Sequence, residues 1–243
     1  MTRQFKSQSY QAGFSLVELI IAMTITLVVL TIATTMLARS LNIRTRANDN
    51  VDAMADAERA LNVMSREIAQ AGFNLTDNGI VAEDSVIDAN GNSTIRIRAN
   101  LNKFDTTATL PARNGIGVAD EDSGEDIKYF IYPTPETTLL ARYDAYAGGG
   151  PSSTVLANKL DSLRIHYFAQ RVTYSAGTVA VPCDISAPSQ AEVGSPSAAK
   201  YVVIAVCVQQ GAIGNPGDPG YQPPTRVLLT SDVALRNANK TIY

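Results

Sequence analysis

The chain has 243 residues, 45% of them hydrophobic, and 23 acids against 20 bases leave a net charge of −3 at pH 7. That balance supplies no global basic field to draw in nucleic acid, and no zinc-type Cys/His spacing, phosphate loop or Gly-x-Ser-x-Gly elbow points to catalysis. The one histidine, His166, alternates within a strand-like run and reads as a packed or solvated ring, so no enzyme is expected.

Residues 1–13, MTRQFKSQSYQAG, are mostly polar and carry Arg3 and Lys6 without an acid. From Phe14 to Ala38 the chain is apolar and Glu18 is its only ionisable residue; about 20 helical residues already cross a bilayer. The basic head favours a cytoplasmic N-terminus, an argument that Arg39, Arg44 and Arg46 weaken from the other side of the span. A secretory signal would have a shorter apolar core followed by a small-residue cleavage site. Here the small residue, Gly13, precedes the core, so cleavage there keeps the span in the mature chain at −5 (−3 minus the two charges of Arg3 and Lys6).

A lone carboxylate near the edge of a bilayer costs a few kcal/mol to bury, so Glu18 must protonate, reach the interface or meet a cation. Cleavage after Gly13 creates one, the amine of Phe14. A signal-anchor helix with Glu18 at headgroup level is the plainer alternative.

No proline precedes Pro111 and no glycine lies between Gly13 and Gly72, so a continuous helix is expected over 14–71, about 87 Å long at about 1.5 Å per residue. Its second half places Val51, Met54, Leu61, Met64 and Ile68 on one stripe, with Asp49, Asp52, Asp56, Glu58, Arg59 and Glu67 mostly off it. The stripe predicts packing on a C-terminal sheet, with the methionines as core. Beyond Gly72 short strand-like runs follow at 93–99, 127–132, 138–143, 162–168, 200–209 and 226–235, the fifth apolar enough to be central. Asn78-Gly79 and Asn90-Gly91 mark turns, and Pro133 and Pro135 sit between the second and third runs. Stretches 145–153, 177–197 and 211–224 read as loops where a partner surface would lie. The expected fold is α+β: a long N-terminal transmembrane and amphipathic helix on a mostly antiparallel sheet.

GFSLVELIIAM resembles the N-terminal signature of type IV pilins and of the pseudopilins of type II secretion. The resemblance implies that residues 1–13 are a leader, that a prepilin peptidase cuts between Gly13 and Phe14, and that Phe14 becomes N-methylated. It also implies that Glu18 pairs with the Phe14 ammonium of a neighbouring subunit during assembly. Many pilins kink this helix at a proline, which this chain lacks. The segments ERALNVMSREIAQAGF, IKYFIY with TLLARY, NKLDSLRIHYF and TSDVALRN are similar, in that order, to W-type minor pilins, relatives of J-type pseudopilins. That similarity implies three parts: leader 1–13, helix 14–71 with its membrane span at 14–38, and a periplasmic β-rich domain 72–243. It further implies a structural subunit that initiates or caps a pilus, seated first in the inner membrane and then in the pilus, at its tip. Its partners would be other minor pilins, the major pilin and the inner-membrane assembly platform. The alternatives are a type II pseudopilin and a tip adhesin or DNA-binding subunit.

In an oxidising periplasm Cys183 and Cys207 can join, closing a loop worth about 3 kcal/mol in the chain-entropy model. The disulfide is the expectation; two buried thiols are the alternative. No cofactor is expected. The acidic run 120–126, DEDSGED, offers calcium oxygen ligands but lacks the terminal glutamate of an EF-hand, and reads first as a solvated turn. Arg96, Arg98 and Lys103 read as the solvated face of an edge strand rather than a nucleic-acid patch.

Overall fold

A computed structural model describes residues 13–75, 77–101, 123–135, 137–147, 150–177, 183–212, 216–217 and 221–238. Residues 1–12 of the expected leader, Lys103, the carboxylates of Asp120, Glu121 and Asp122, and parts of the expected loops 145–153, 177–197 and 211–224 lie outside the described residues. The chain divides into two units, Met1–Asn48 and Asp49–Tyr243.

Helix α1 (Leu16–Gln70) supplies the described helix of the first unit and, with residues 49–70, one layer of the second. It contains the one segment among the described residues that is long and apolar enough to cross a membrane. Its large side chains from Leu16 to Ile43 are exposed, as a lipid-facing or helix-facing surface would be in an isolated chain. The threonine hydroxyls that interrupt the apolar run are satisfied locally. Thr26 and Thr31 donate to the carbonyls of Ala22 and Leu27 four residues back, and Thr24 and Thr35 to those three back. No hydroxyl there needs water.

Among the described residues of the second unit nine strands follow: β1 (Ile95–Arg98), β2 (Asp126–Pro133), β3 (Thr138–Asp144), β4 (Ser152–Ala157), β5 (Leu160–Phe168), β6 (Ser175–Ala176), β7 (Ile185–Ser186), β8 (Tyr201–Gln210) and β9 (Thr225–Ala234). The expected α+β arrangement is present, an N-terminal apolar helix and antiparallel strands. The single expected sheet is not. The strands form a four-stranded sheet in the order β1-β2-β3-β4, a three-stranded sheet β5-β8-β9 and a small ribbon β6-β7. The break falls between β4 and β5, where Lys159 takes a left-handed conformation at φ 56°. Strand β4, SSTVLA, begins inside a stretch that reads as loop, because its polar half offers no alternation to recognise.

The helix seam also departs from expectation. Val51 is 65% exposed and Met54 only half-buried, whereas Ala53, Ala57, Ala60, Leu61, Met64 and Ile68 are buried. Alanines spaced by four and three residues let the helix backbone approach the strands, which the bulkier stripe through Val51 would hold off. The resulting core joins this seam to Ile95, Ile97, Tyr129 and Leu140 of the first sheet and to Leu163, Val202, Ile204 and Val206 of the second.

Strand β8 is buried from Tyr201 to Val208 and central, as its sequence predicts. Its even-numbered residues from Val202 to Val208 join the helix-side core. Tyr201, Val203 and Ala205 join a second core with Phe168, Val172 and Ile185, formed by the segment that carries β6 and β7.

Gly72 ends the helix at φ 74°, and its N–H donates to the Arg98 carbonyl at 2.9 Å. The last helical carbonyls, of Gln70 and Ala71, accept from the side-chain amide of Asn237 at 3.3 and 3.1 Å. The closing segment TSDVALRN thus caps the helix that the segment MSREIAQAGF ends.

Candidate processing and assembly site

At the N-terminal end of α1, Gly13, Phe14 and Ser15 precede the helix in non-helical conformation, and all three are exposed, Phe14 by 88%. The first helical hydrogen bond runs from the Leu19 N–H to the Ser15 carbonyl at 3.1 Å, which makes Ser15 the N-cap. Ser15 Oγ accepts from the Val17 N–H at 3.3 Å, and Glu18 Oε2 accepts from the Ser15 N–H at 3.3 Å. This is a capping box: side chains of the cap and of the third helical residue each satisfy an otherwise unpaired backbone donor. Glu18 therefore sits within the first helical turn, where the macrodipole favours an anion, and close to the Gly13–Phe14 bond. Sequence reasoning singled out Gly13, Phe14 and Glu18 but missed Ser15. The S-x-x-E spacing of Ser15 and Glu18 would have found it.

In the second unit Cys183 and Cys207 form a disulfide with Cα atoms 5.4 Å apart, tying the segment before β7 to the central strand β8. The Asp161 carboxylate lies within 4.8 Å of both sulfurs. Metal ligation would need thiolates, which the disulfide consumes. His166, on β5, is held between Asp184, 2.6 Å from Nε2, and Glu192, 2.8 Å from Nδ1. Burial disfavours its charged form, but these two carboxylates outweigh burial and push the ring up to about 9. The ring fastens the β6–β7 segment to the second sheet, which is a structural role.

Arg96 and Arg98 do not form the free solvated face expected of them. Arg96 grips Asp126 through Nε and Nη2, both at 2.7 Å, and also pairs with Asp84, while Arg98 Nε lies 3.2 Å from Asp126. The bidentate bond to Asp126 raises the Arg96 guanidinium further, and Arg96 in turn lowers Asp84. Strand β1 is an edge of its sheet, yet its arginines are spent on ion pairs. In the acidic run, Glu125 is buried and accepts from the Leu101 N–H, and Asp126 is held by the arginines. Both described carboxylates of the run that was weighed for calcium thus have other partners.

Glu67 corrects the reading of the helix surface as well. It turns toward the first sheet, accepting from the Tyr129 hydroxyl and from Arg142 Nε at 3.0 Å. Burial first, then the Glu67 carboxylate, push the Tyr129 hydroxyl far above its ordinary value.

Residues 8–34 match the family model described as the prokaryotic N-terminal methylation motif. The match covers Gly13, Phe14, Ser15 and Glu18 and supports a protein of the type IV pilin or pseudopilin kind, with the pilus or secretion machinery as its general partners. The leader motif and the apolar helix fit a membrane-anchored pilin-like protein, and the motif marks structural rather than catalytic chains. No curated protein and no solved structure matches the chain.

Proposed function

We propose that the chain is a minor pilin of the W-type, a low-copy structural subunit that helps to initiate or cap a type IV pilus. The observation that carries the reading is the exposed Gly13–Phe14 bond beside Glu18 at the start of a membrane-length helix. A prepilin peptidase hydrolyses that bond, releasing residues 1–13 with Gly13 as a carboxylate and leaving Phe14 with a free amine. The amine then accepts a methyl group from a methyl donor and keeps its positive charge. A carboxylate and an ammonium near the same bilayer depth neutralise each other between neighbouring subunits, lowering the cost of leaving the interface. The helix supplies lateral packing, and the domain of residues 72–243 faces the periplasm and contacts other minor pilins. Capping of the helix end by Asn237 supports treating TSDVALRN and ERALNVMSREIAQAGF, two of the W-type segments, as one unit. The role is structural and requires no cofactor.

Glu18→Ala is expected to leave leader removal largely intact while impairing incorporation into pili; normal pilus numbers in that mutant would refute the pairing role. Gly13→Val is expected to leave uncut precursor in the membrane, and a band at mature size would argue against the cleavage site. Co-purification of the tagged chain with other minor pilins, together with loss of piliation rather than of secretion in a deletion strain, separates the pilus from a type II system.

A further inference from the structure

We infer that Ser15 is a positioning residue for leader removal: its hydroxyl fixes the start of α1 just after the Gly13–Phe14 bond and keeps that bond in open chain. This inference rests on the cleavage site proposed above and adds to it the reason the bond is accessible.

The backbone donors at the start of α1 decide which peptide groups stay out of the helix. If α1 were extended by one turn toward the N-terminus, the Val17 N–H would donate to the Gly13 carbonyl and the Glu18 N–H to the Phe14 carbonyl. A peptide group so engaged is paired along the helix axis and wrapped by neighbouring side chains, and a peptidase must unwind it before attack. Instead, the Val17 N–H is taken by Ser15 Oγ at 3.3 Å, and the Ser15 N–H is taken by Glu18 Oε2 at 3.3 Å. The ladder begins at the Ser15 carbonyl, and Gly13 and Phe14 remain non-helical and exposed. Thirteen residues of leader and an apolar helix meet here, and the N-cap, Ser15, lies two residues past Gly13. Glu18 holds only the Ser15 N–H, which lies ahead of the helical ladder, so its loss leaves the Val17 N–H on Ser15 Oγ and cleavage largely intact; its part comes afterwards, as the anion for an ammonium.

The test uses the full-length precursor in detergent micelles or membranes with a prepilin peptidase, reading the ratio of precursor to mature chain over time. Ser15→Ala removes the cap and is expected to slow cleavage about fivefold, the factor by which loss of an N-cap moves a helix-end equilibrium. Ser15→Thr keeps the hydroxyl and is expected to restore cleavage to near the wild-type rate. Without peptidase, the carbonyl and Cα chemical shifts of Gly13 and Phe14 should move toward helical values in the alanine variant and not in the threonine variant. Cleavage of Ser15→Ala at the wild-type rate, or Ser15→Thr as slow as Ser15→Ala, overturns the role of Ser15 and leaves the cleavage site standing. A wild-type chain left uncut between Gly13 and Phe14 overturns the pilin reading and this inference together.

Discussion

The hydroxyl of Tyr129, buried on β2, donates to the carboxylate of Glu67 on α1, and Arg142 on β3 holds the same carboxylate from the neighbouring strand. A helix and two strands thus share one acceptor inside an otherwise apolar interface. Glu67→Ala should cost about 3 kcal/mol, because it leaves a buried phenol without its acceptor and Arg142 with only its longer contact to Asp144 at 3.4 Å. Tyr129→Phe removes only one donor and should cost about 1 kcal/mol. Denaturant unfolding of both variants measures the difference, and equal losses would mean that Arg142 is indifferent to the carboxylate.

Gly79 stands at φ 75°, where a Cβ would collide with the backbone nitrogen of Gly72 and the carbonyl oxygen of Arg98. Neither backbone can retreat, since Gly72 and Gly79 both hydrogen-bond to Arg98. Gly79→Ala should therefore destabilise the domain by about 3 kcal/mol or more through strain and displaced bonds. Gly124, also at positive φ but with open space around its Cβ, is the control and should lose about 1 kcal/mol on the same change. Thermal melts of the pair distinguish the clash from the dihedral.

Reduction of the Cys183–Cys207 disulfide, or its replacement by two alanines, should lower stability by about 3 kcal/mol for a cross-link between residues separated by 24 positions. Mass spectrometry before and after reduction checks the bond, and melts with and without reductant check its contribution. Two free thiols in protein from an oxidising compartment would remove the basis of this expectation.

His166 gives the domain a pH dependence of known sign. Its pKa is raised in the fold to about 9 from an ordinary 6.5, so the clamp on Asp184 and Glu192 stabilises fully below 6.5 and is lost as pH rises through 9. The contribution is on the order of 2 kcal/mol after allowance for the exposed side of Glu192. Unfolding measured at pH 6 and pH 10 should show that loss in the wild type and a flatter profile in His166→Ala. A wild type as stable at pH 10 as at pH 6, relative to the variant, would contradict the clamp.

Local signals were readable wherever a residue's role depends on its neighbours in sequence. The apolar run, the absence of breakers up to Gly72 and the uninterrupted YVVIAVCV predicted the helix, its end and the central strand. Roles set by distant partners were not readable. Glu67 looks solvent-facing until Tyr129 and Arg142, 62 and 75 residues on, are placed against it, and Arg96 looks solvated until Asp126 arrives 30 residues later. The division into two sheets is equally invisible, because alternation tells which face of a strand is buried and not which strand lies beside it. At the candidate site the limit was different. Ser15 and Glu18 are local, and their S-x-x-E spacing is legible in the sequence beside the charge that makes Glu18 stand out.

Strand β8 is covered on both faces from Tyr201 to Val208, and this divides the domain's freedom to vary. Its even positions answer to the helix and its odd positions to the segment carrying β6 and β7. Substitutions at Ile204 and Val203 therefore have separate neighbourhoods, and their effects on stability should largely add although the two residues are adjacent. Over generations the segment between Val172 and Ile185 can be lengthened, recut or redecorated against the odd positions while the even ones keep the helix seated. A domain with that arrangement can change what covers one face of its central strand and leave the seat of its helix alone.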